Sequence, residues 1–175
     1  MTPTQIELEP MKSEFVVALA LAVTPVSATA DGVSSPDASS GSPCRSEELR
    51  NFRSVVFAKA AEPDTLWRLL TKVLCGFDDP ADSAAVVLPY LPQPVRLVEE
   101  TFTSEGNIEQ VARRAPPKEV VGMLIPAREP GYADLRVHNR QSIRLQTNND
   151  VCAMDMSAEL RKRKWVVREV RTQCE

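Results

Sequence analysis

The chain is expected to be an α+β protein, with N-terminal helices packed on a curved, mostly antiparallel sheet that ends in a strand meander. Three observations predict this. Between residues 45 and 74 the apolar residues recur every three or four positions, the period of an amphipathic helix. From Val95 onward strand formers dominate and the period shortens. Beyond residue 131 the two parities separate: Leu135, Val137, Ile143 and Leu145 share one, and Arg136, His138, Arg140, Ser142 and Arg144 the other.

The first segment to account for is not structural. Residues 11–30 read Met-Lys-Ser-Glu, an apolar run from Phe15 to Val23, Pro25, and Ala28-Thr29-Ala30. A short positive start, an apolar centre and a small-x-small exit make a secretory signal peptide, so residues 1–30 are set aside from the fold. The run is too short to span a bilayer, which takes about 20 apolar residues. Counted from Met11 the leader is net positive; counted from Met1 it also carries Glu7 and Glu9, so Met11 is the expected start of translation. The alternative is an uncleaved amphipathic anchor. No Cys follows closely enough for lipid attachment. Residues 31–43, rich in Ser, Gly and Pro, are expected to be a flexible leader, and residues 44–175 a single α+β domain.

Losing residues 1–30 removes Lys12, Glu7, Glu9 and Glu14, which leaves 20 basic and 21 acidic residues of the original 21 and 24. That balance argues against a nucleic-acid binder, whose affinity comes from neutralising phosphates. An exported chain meets oxidising conditions, so Cys44, Cys75, Cys152 and Cys174 are expected in disulfides. Three pairings exist. Cys44 opens the first helix and Cys75 closes the second, while Cys152 and Cys174 lie on the last two strands; this favours Cys44–Cys75 and Cys152–Cys174, each worth about 3–4 kcal/mol. Zinc is disfavoured by the lack of Cys-x-x-Cys spacing and by the single His.

Residues 45–61 carry Leu49, Phe52, Val55, Val56 and Lys59 or Ala60 on one stripe, with Ser46 as a cap and Glu47 and Glu48 at the positive helix end. A second helix from Asp64 buries Leu66, Leu69, Leu70, Val73 and Leu74 and stops at Gly76. Asp78-Asp79-Pro80 is a turn, residues 82–88 a short third helix, and Pro89, Pro92 and Pro94 force an extended connection. Residues 95–103 form a strand. Residues 107–114 are assigned two helical turns ended by Pro116-Pro117, and residues 120–125 a short buried strand.

A three-residue turn at Asn139-Arg140-Gln141 sets Val137 opposite Ile143 and Leu135 opposite Leu145. A two-residue turn at Asn148-Asn149 then sets Leu145 opposite Cys152 and Ile143 opposite Met154. With the last turn centred on Arg163, Leu160 opposes Val166, Met156 opposes Val170 and Cys152 opposes Cys174. Arg168 is then a misfit on the apolar face, and Trp165 and Val167 lie on the other. A register shifted by one puts Trp165 opposite Leu160 but loses the cysteine pair; the first is preferred.

This order of elements, closing on the Trp165-Val166-Val167 strand, resembles the nuclear-transport-factor-like superfamily over residues 44–174. The resemblance implies a cone-shaped domain with a pocket between helices and sheet. It does not carry catalytic residues across, because the Asp and His used by enzymes of that superfamily have no matching positions here.

Candidate chemistry is sparse. His138 sits in a basic stripe near a turn, and nothing resembles a Gly-x-Ser-x-Gly nucleophile motif. Asp78, Asp79 and Asp82 read more simply as turn and cap residues than as cation ligands. Glu99 and Glu100 point to opposite faces of a strand; whichever faces inward is the first choice for a ligand-binding acid. Arg161, Lys162, Arg163 and Lys164, with Trp165, are a candidate surface for an anionic partner or, more plainly, a solvated hairpin tip. Met154 and Met156 read as core.

The chain is therefore expected to be periplasmic or secreted and to act by binding a small molecule or an envelope protein. The expected pocket is framed by residues 66–74 and 152–160, with no cofactor, metal or nucleic acid. Two alternatives stand: a small isomerase or hydrolase using Glu99, Glu100 or His138, and an accessory subunit of a surface assembly contacting partners through an exposed Trp165–Val167 patch.

Overall fold

The computed structural model describes residues 44–149 and 151–174; the signal peptide expected at residues 1–30 and the leader expected at 31–43 lie outside the described residues. Four α-helices cover one face of a six-stranded mixed sheet among them: α1 (Ser46–Lys59), α2 (Pro63–Cys75), α3 (Pro80–Val87), β1 (Val95–Phe102), β2 (Ile108–Ala115), α4 (Pro117–Leu124), β3 (Tyr132–Asn139), β4 (Ser142–Asn148), β5 (Cys152–Arg161) and β6 (Lys164–Cys174). The strand order is β2-β1-β6-β5-β4-β3. All neighbours are antiparallel except β1 and β6.

The helices form where the apolar stripes demand. Val56 of α1, Ala60 just after it, and Leu66, Leu69, Leu70, Val73 and Leu74 of α2 are buried against the sheet's inner face. Each such side chain contributes about 1.5–3 kcal/mol by leaving water. Ser46 lies inside the first turn of α1, with Arg45 as the flanking residue. Disulfides join Cys44 to Cys75 across the α1–α2 pair and Cys152 to Cys174 across β5–β6.

Gly76 does not end α2 through a left-handed conformation; its φ is −76° and the chain runs on into a short 3₁₀ turn. Its role is close packing, since a Cβ there would lie 2.9 Å from the Cβ and Oγ of buried Ser83. Asp79 caps α3 by accepting a hydrogen bond from the Asp82 amide at 3.1 Å. The proline-rich connection also holds a 3₁₀ turn at Leu88–Tyr90 instead of extending throughout.

Two elements differ from the sequence expectation. The helical turns assigned to residues 107–114 are strand β2, which pairs with β1 through a loop containing Gly106 at φ 78°. As an edge strand exposed along most of its length, β2 lacks the alternation that marks a half-buried strand. The buried strand assigned to residues 120–125 is helix α4. Pro117 occupies its first turn, where a missing N–H costs nothing, so the proline pair starts a helix instead of ending one. Val120, Val121 and Leu124 are its buried face.

The three hairpins differ in detail. In β3–β4 the register is as expected, with Val137 opposite Ile143 and Leu135 opposite Leu145, but the turn has two residues, because Asn139 pairs with Ser142 after an irregularity following Val137. Leu145 opposes Met156, and Ile143 opposes Ala158, a slip of four residues that preserves the facing. The Asn149 side chain stabilises the longer β4–β5 loop by accepting from the amides of Val151 and Cys152 at 3.0 and 2.7 Å. In β5–β6 both weighed registers hold, one at each end: Cys152 opposes Cys174 and Met156 opposes Val170, yet Leu160 opposes Trp165. A bulge at Arg168 absorbs the extra residue between Ser157–Glu169 and Ala158–Val167. Trp165 and Val167 thereby join the inner face, 1% and 0% exposed, so the expected Trp165–Val167 surface patch does not exist. The Trp165 indole N–H donates to the Ala61 carbonyl at 3.0 Å, tying β6 to the start of α2.

Candidate functional site

The space between α2 and β5 is filled by Leu66, Leu70, Leu74, Met156 and Ala158, so the pocket expected there is solid core. The opening lies further along, past the end of α4. Strand register explains why. One rung of the inner face runs Leu135, Leu145, Met156, Val170, Leu97 and is apolar until Arg113 on the edge strand. The next runs Ala133, Thr147, Met154, Thr172, Glu99, Val111, and three of its six residues are polar. The face changes from packing surface to lined cavity within one rung.

The cavity at this mouth measures about 300 Å³. Its floor is Glu99, Thr147, Met154 and Thr172; Met123 and the segment through Ala127 roof it; the Cys152–Cys174 bond forms a wall. Thr147 is buried, and neither its hydroxyl nor that of Thr172 has a hydrogen-bond partner among the described residues. No side-chain polar atom among the described residues is both fully buried and unpaired, so these two hydroxyls open onto the cavity, where they can meet water or whatever enters.

Glu99 is held from the side. Arg113 Nε donates to Glu99 Oε2 at 2.8 Å and Nη2 to Oε1 at 3.3 Å. The same Nη2 donates to Glu119 in the first turn of α4, so one guanidinium clips the sheet edge to the helix that roofs the cavity. The Arg113 hydrogen bond, more than its charge, holds the Glu119 carboxyl below the usual carboxylate range. Arg113 is correspondingly pushed further up and stays a cation.

The other sequence candidates lie apart. Glu100 is on the outer face, where it accepts from Arg171 at 3.0 Å and from Gln110 at 2.9 Å. That face is a lattice of paired charges, Arg144 with Asp155 and Arg171 with Glu169 among them, around a cavity of about 330 Å³. His138 is exposed at the β3–β4 turn with no hydrogen bond among the described residues. Asp82 pairs with Lys72 at 2.7 Å. Arg161 pairs with Glu159, and Arg163 reaches Glu62 at 3.0 Å, while Lys162 and Arg163 form the two-residue β5–β6 turn.

Sequence reasoning missed Thr147, Thr172, Arg113 and Glu119. The two threonines were detectable, since each interrupts an apolar parity: Ile143, Leu145, Thr147 on one strand and Val170, Thr172 on another. Arg113 was not, because its segment was read as helix.

No family model matches the chain, and no curated protein matches it. Solved structures similar to it include an NTF2-like protein of unknown function from Shewanella baltica OS155, at 10% identity and a TM-score of 0.41 over 65% of this chain and 94% of that one. Another NTF2-like protein of unknown function, from Silicibacter pomeroyi DSS-3, is 10% identical with a TM-score of 0.39, covering 64% of this chain and 94% of that one. A DUF4783 family protein from Bacteroides fragilis YCH46 is 15% identical with a TM-score of 0.35, covering 59% and 95%. Two of these three carry the NTF2-like name, the family that the order of elements resembles. These likenesses concern the path of the chain, and the site rests on its own geometry.

Proposed function

We propose that this protein is an exported binding module of the cell envelope that takes a small, mainly apolar ligand bearing one hydroxyl or carbonyl group into the α4 mouth. The observation that carries this is the polar rung, in which two hydroxyls open to the cavity and an Arg-held carboxylate interrupt an otherwise apolar inner face. Apolar walls with a few placed polar groups are the usual make-up of a small-molecule site, although about 300 Å³ is at the lower end of their size. Export is supported by the apolar run at residues 15–23 and by two disulfides, which persist in oxidising compartments. No helix among the described residues is long and apolar enough to cross a membrane. A binding role fits better than proton transfer, because Arg113 engages both Glu99 oxygens.

The test is a titration with 2-naphthol, followed through the methyl resonances of Met123 and Met154. Shifts confined to those methyls, and weakened about tenfold in Thr172→Val, support the reading. Shifts spread over the surface, or unchanged in Thr172→Val, refute it.

A further inference from the structure

Another cavity, of about 490 Å³, lies at the opposite end of β6 from the mouth. It is enclosed by the outer side of α2 at Thr65 and Arg68, by the end of α3 and the 3₁₀ turn that follows it, from Ala85 to Tyr90, and by the start of β6 with the turn before it. Its lining is divided. Val86, Pro89 and Tyr90 make an apolar wall with the buried Trp165 behind it, and Arg68, Arg163 and Lys164 make a cationic rim. The Tyr90 hydroxyl donates to the Thr65 carbonyl at 3.0 Å, which fixes the ring along the wall.

The cations are available. Arg68 and Lys164 side chains have neither an ion pair nor a hydrogen bond among the described residues. Arg163 gives Nε alone to Glu62 Oε1, at 3.0 Å. The backbone adds an independent observation. Every non-glycine residue with left-handed φ among those described is at this corner: Glu62 at 49°, Lys162 at 48° and Arg163 at 63°. Two-residue hairpin turns of this kind favour Asn and Gly, whereas here two long basic residues occupy the strained positions. Such strain gathers where a side chain must be held in a set place. The Glu62–Arg163 pair links two of the three strained residues and anchors the guanidinium beside the cleft.

We propose that this cleft binds a small amphiphilic anion, a single-chain carboxylate or phosphate. Its head is held by Arg68, Arg163 and Lys164, and its chain lies against Val86, Pro89 and Tyr90. The site is separate from the α4 mouth and does not rest on its occupancy. Charge-assisted hydrogen bonds hold the head, which a neutral alcohol cannot supply. Burial of the chain adds affinity that an inorganic anion lacks.

Calorimetric titration of the full-length oxidised chain tests this with four probes: decanoate, decyl phosphate, decanol and inorganic phosphate. The expected result is one site for decanoate or decyl phosphate, with decanol and inorganic phosphate weaker by about tenfold or more. Arg68→Gln combined with Lys164→Gln, both exposed positions, is expected to weaken decanoate about tenfold and leave decanol unchanged. Thr172→Val is expected to leave decanoate binding unchanged, which separates this site from the mouth. Sedimentation with phosphatidylglycerol and phosphatidylcholine vesicles tells a free amphiphile from a lipid surface. Equal binding of decanoate and decanol, decanoate binding unaffected by the double substitution, or binding to phosphatidylglycerol vesicles without binding of decanoate would each overturn the proposal.

Discussion

Deleting Arg168 from the middle of β6 is expected to leave the protein folded, and the bulge is the reason. Without this residue, Ala158–Val167 and Ser157–Glu169 become consecutive rungs of a regular ladder, and Met156–Val170 and Cys152–Cys174 stay opposed. The loss is the Arg168–Glu159 pair at 3.2 Å, whose partners are each 43% exposed. A pair so exposed is worth about 0–1 kcal/mol. Some local twist goes too, so a total cost under about 2 kcal/mol is expected. Deleting its neighbour Val167 is the contrasting case. That variant loses a fully buried side chain, worth about 1.5–3 kcal/mol, and sets Arg168 opposite Ala158 on the inner face. Burying an unpaired guanidinium adds several kcal/mol, bringing the cost to about 5 kcal/mol or more, against a typical total of 5–15. Urea unfolding of the oxidised proteins measures both, with indole emission reporting whether Trp165 stays buried. If deleting Arg168 costs as much as deleting Val167, or if it frees the Cys152 and Cys174 thiols, the bulge assignment is wrong.

Met156→Ala empties a fully buried position at the centre of the inner face and is expected to cost about 2–5 kcal/mol in urea unfolding. Gly76→Ala is expected to cost about 1–3 kcal/mol, with partial recovery when Ser83→Gly is added, because the conflict is with the Ser83 side chain at 2.9 Å and not with the backbone. Glu119 has a folded-state value below its ordinary 4.5, so the stability its Arg113 bond contributes is complete above that value and is lost as pH falls through the folded one. Unfolding midpoints measured at neutral pH and at steps below 4.5 should therefore fall less steeply in Glu119→Gln than in the parent. A parallel decline would show that the clip contributes nothing.

Where a side chain's burial follows from its own strand or helix, it was legible in advance: the α2 face from Leu66 to Leu74 and the inner parity of β4 and β5 are present as read. The α+β class and the helices-first order follow from those patterns. What escaped depended on information outside the segment. β2 is a strand because β1 offers it a partner, and its own Ile-Glu-Gln-Val-Ala-Arg run suits either state. The bulge could not be placed because each end of β6 supported a different register, and a single-register reading had to abandon one of them. The mouth escaped in part for the same reason. Its floor comes from four strands whose rungs align only after assembly, and its clip, Arg113, lay on the misread segment. Glu99 and Glu100 were separated by strand geometry alone, but which of them faces the helices needed the neighbouring strand.

The strand order carries a consequence for how the molecule is made. β1 and β2 touch the rest of the sheet only through β6, which follows all the other described strands in chain order. Until it arrives, the growing polypeptide holds two unconnected ribbons, and its core cannot close. Such late, distant pairing slows folding. A polypeptide that lacks β6 therefore stays open, and this one strand is what locks the two halves of the sheet together.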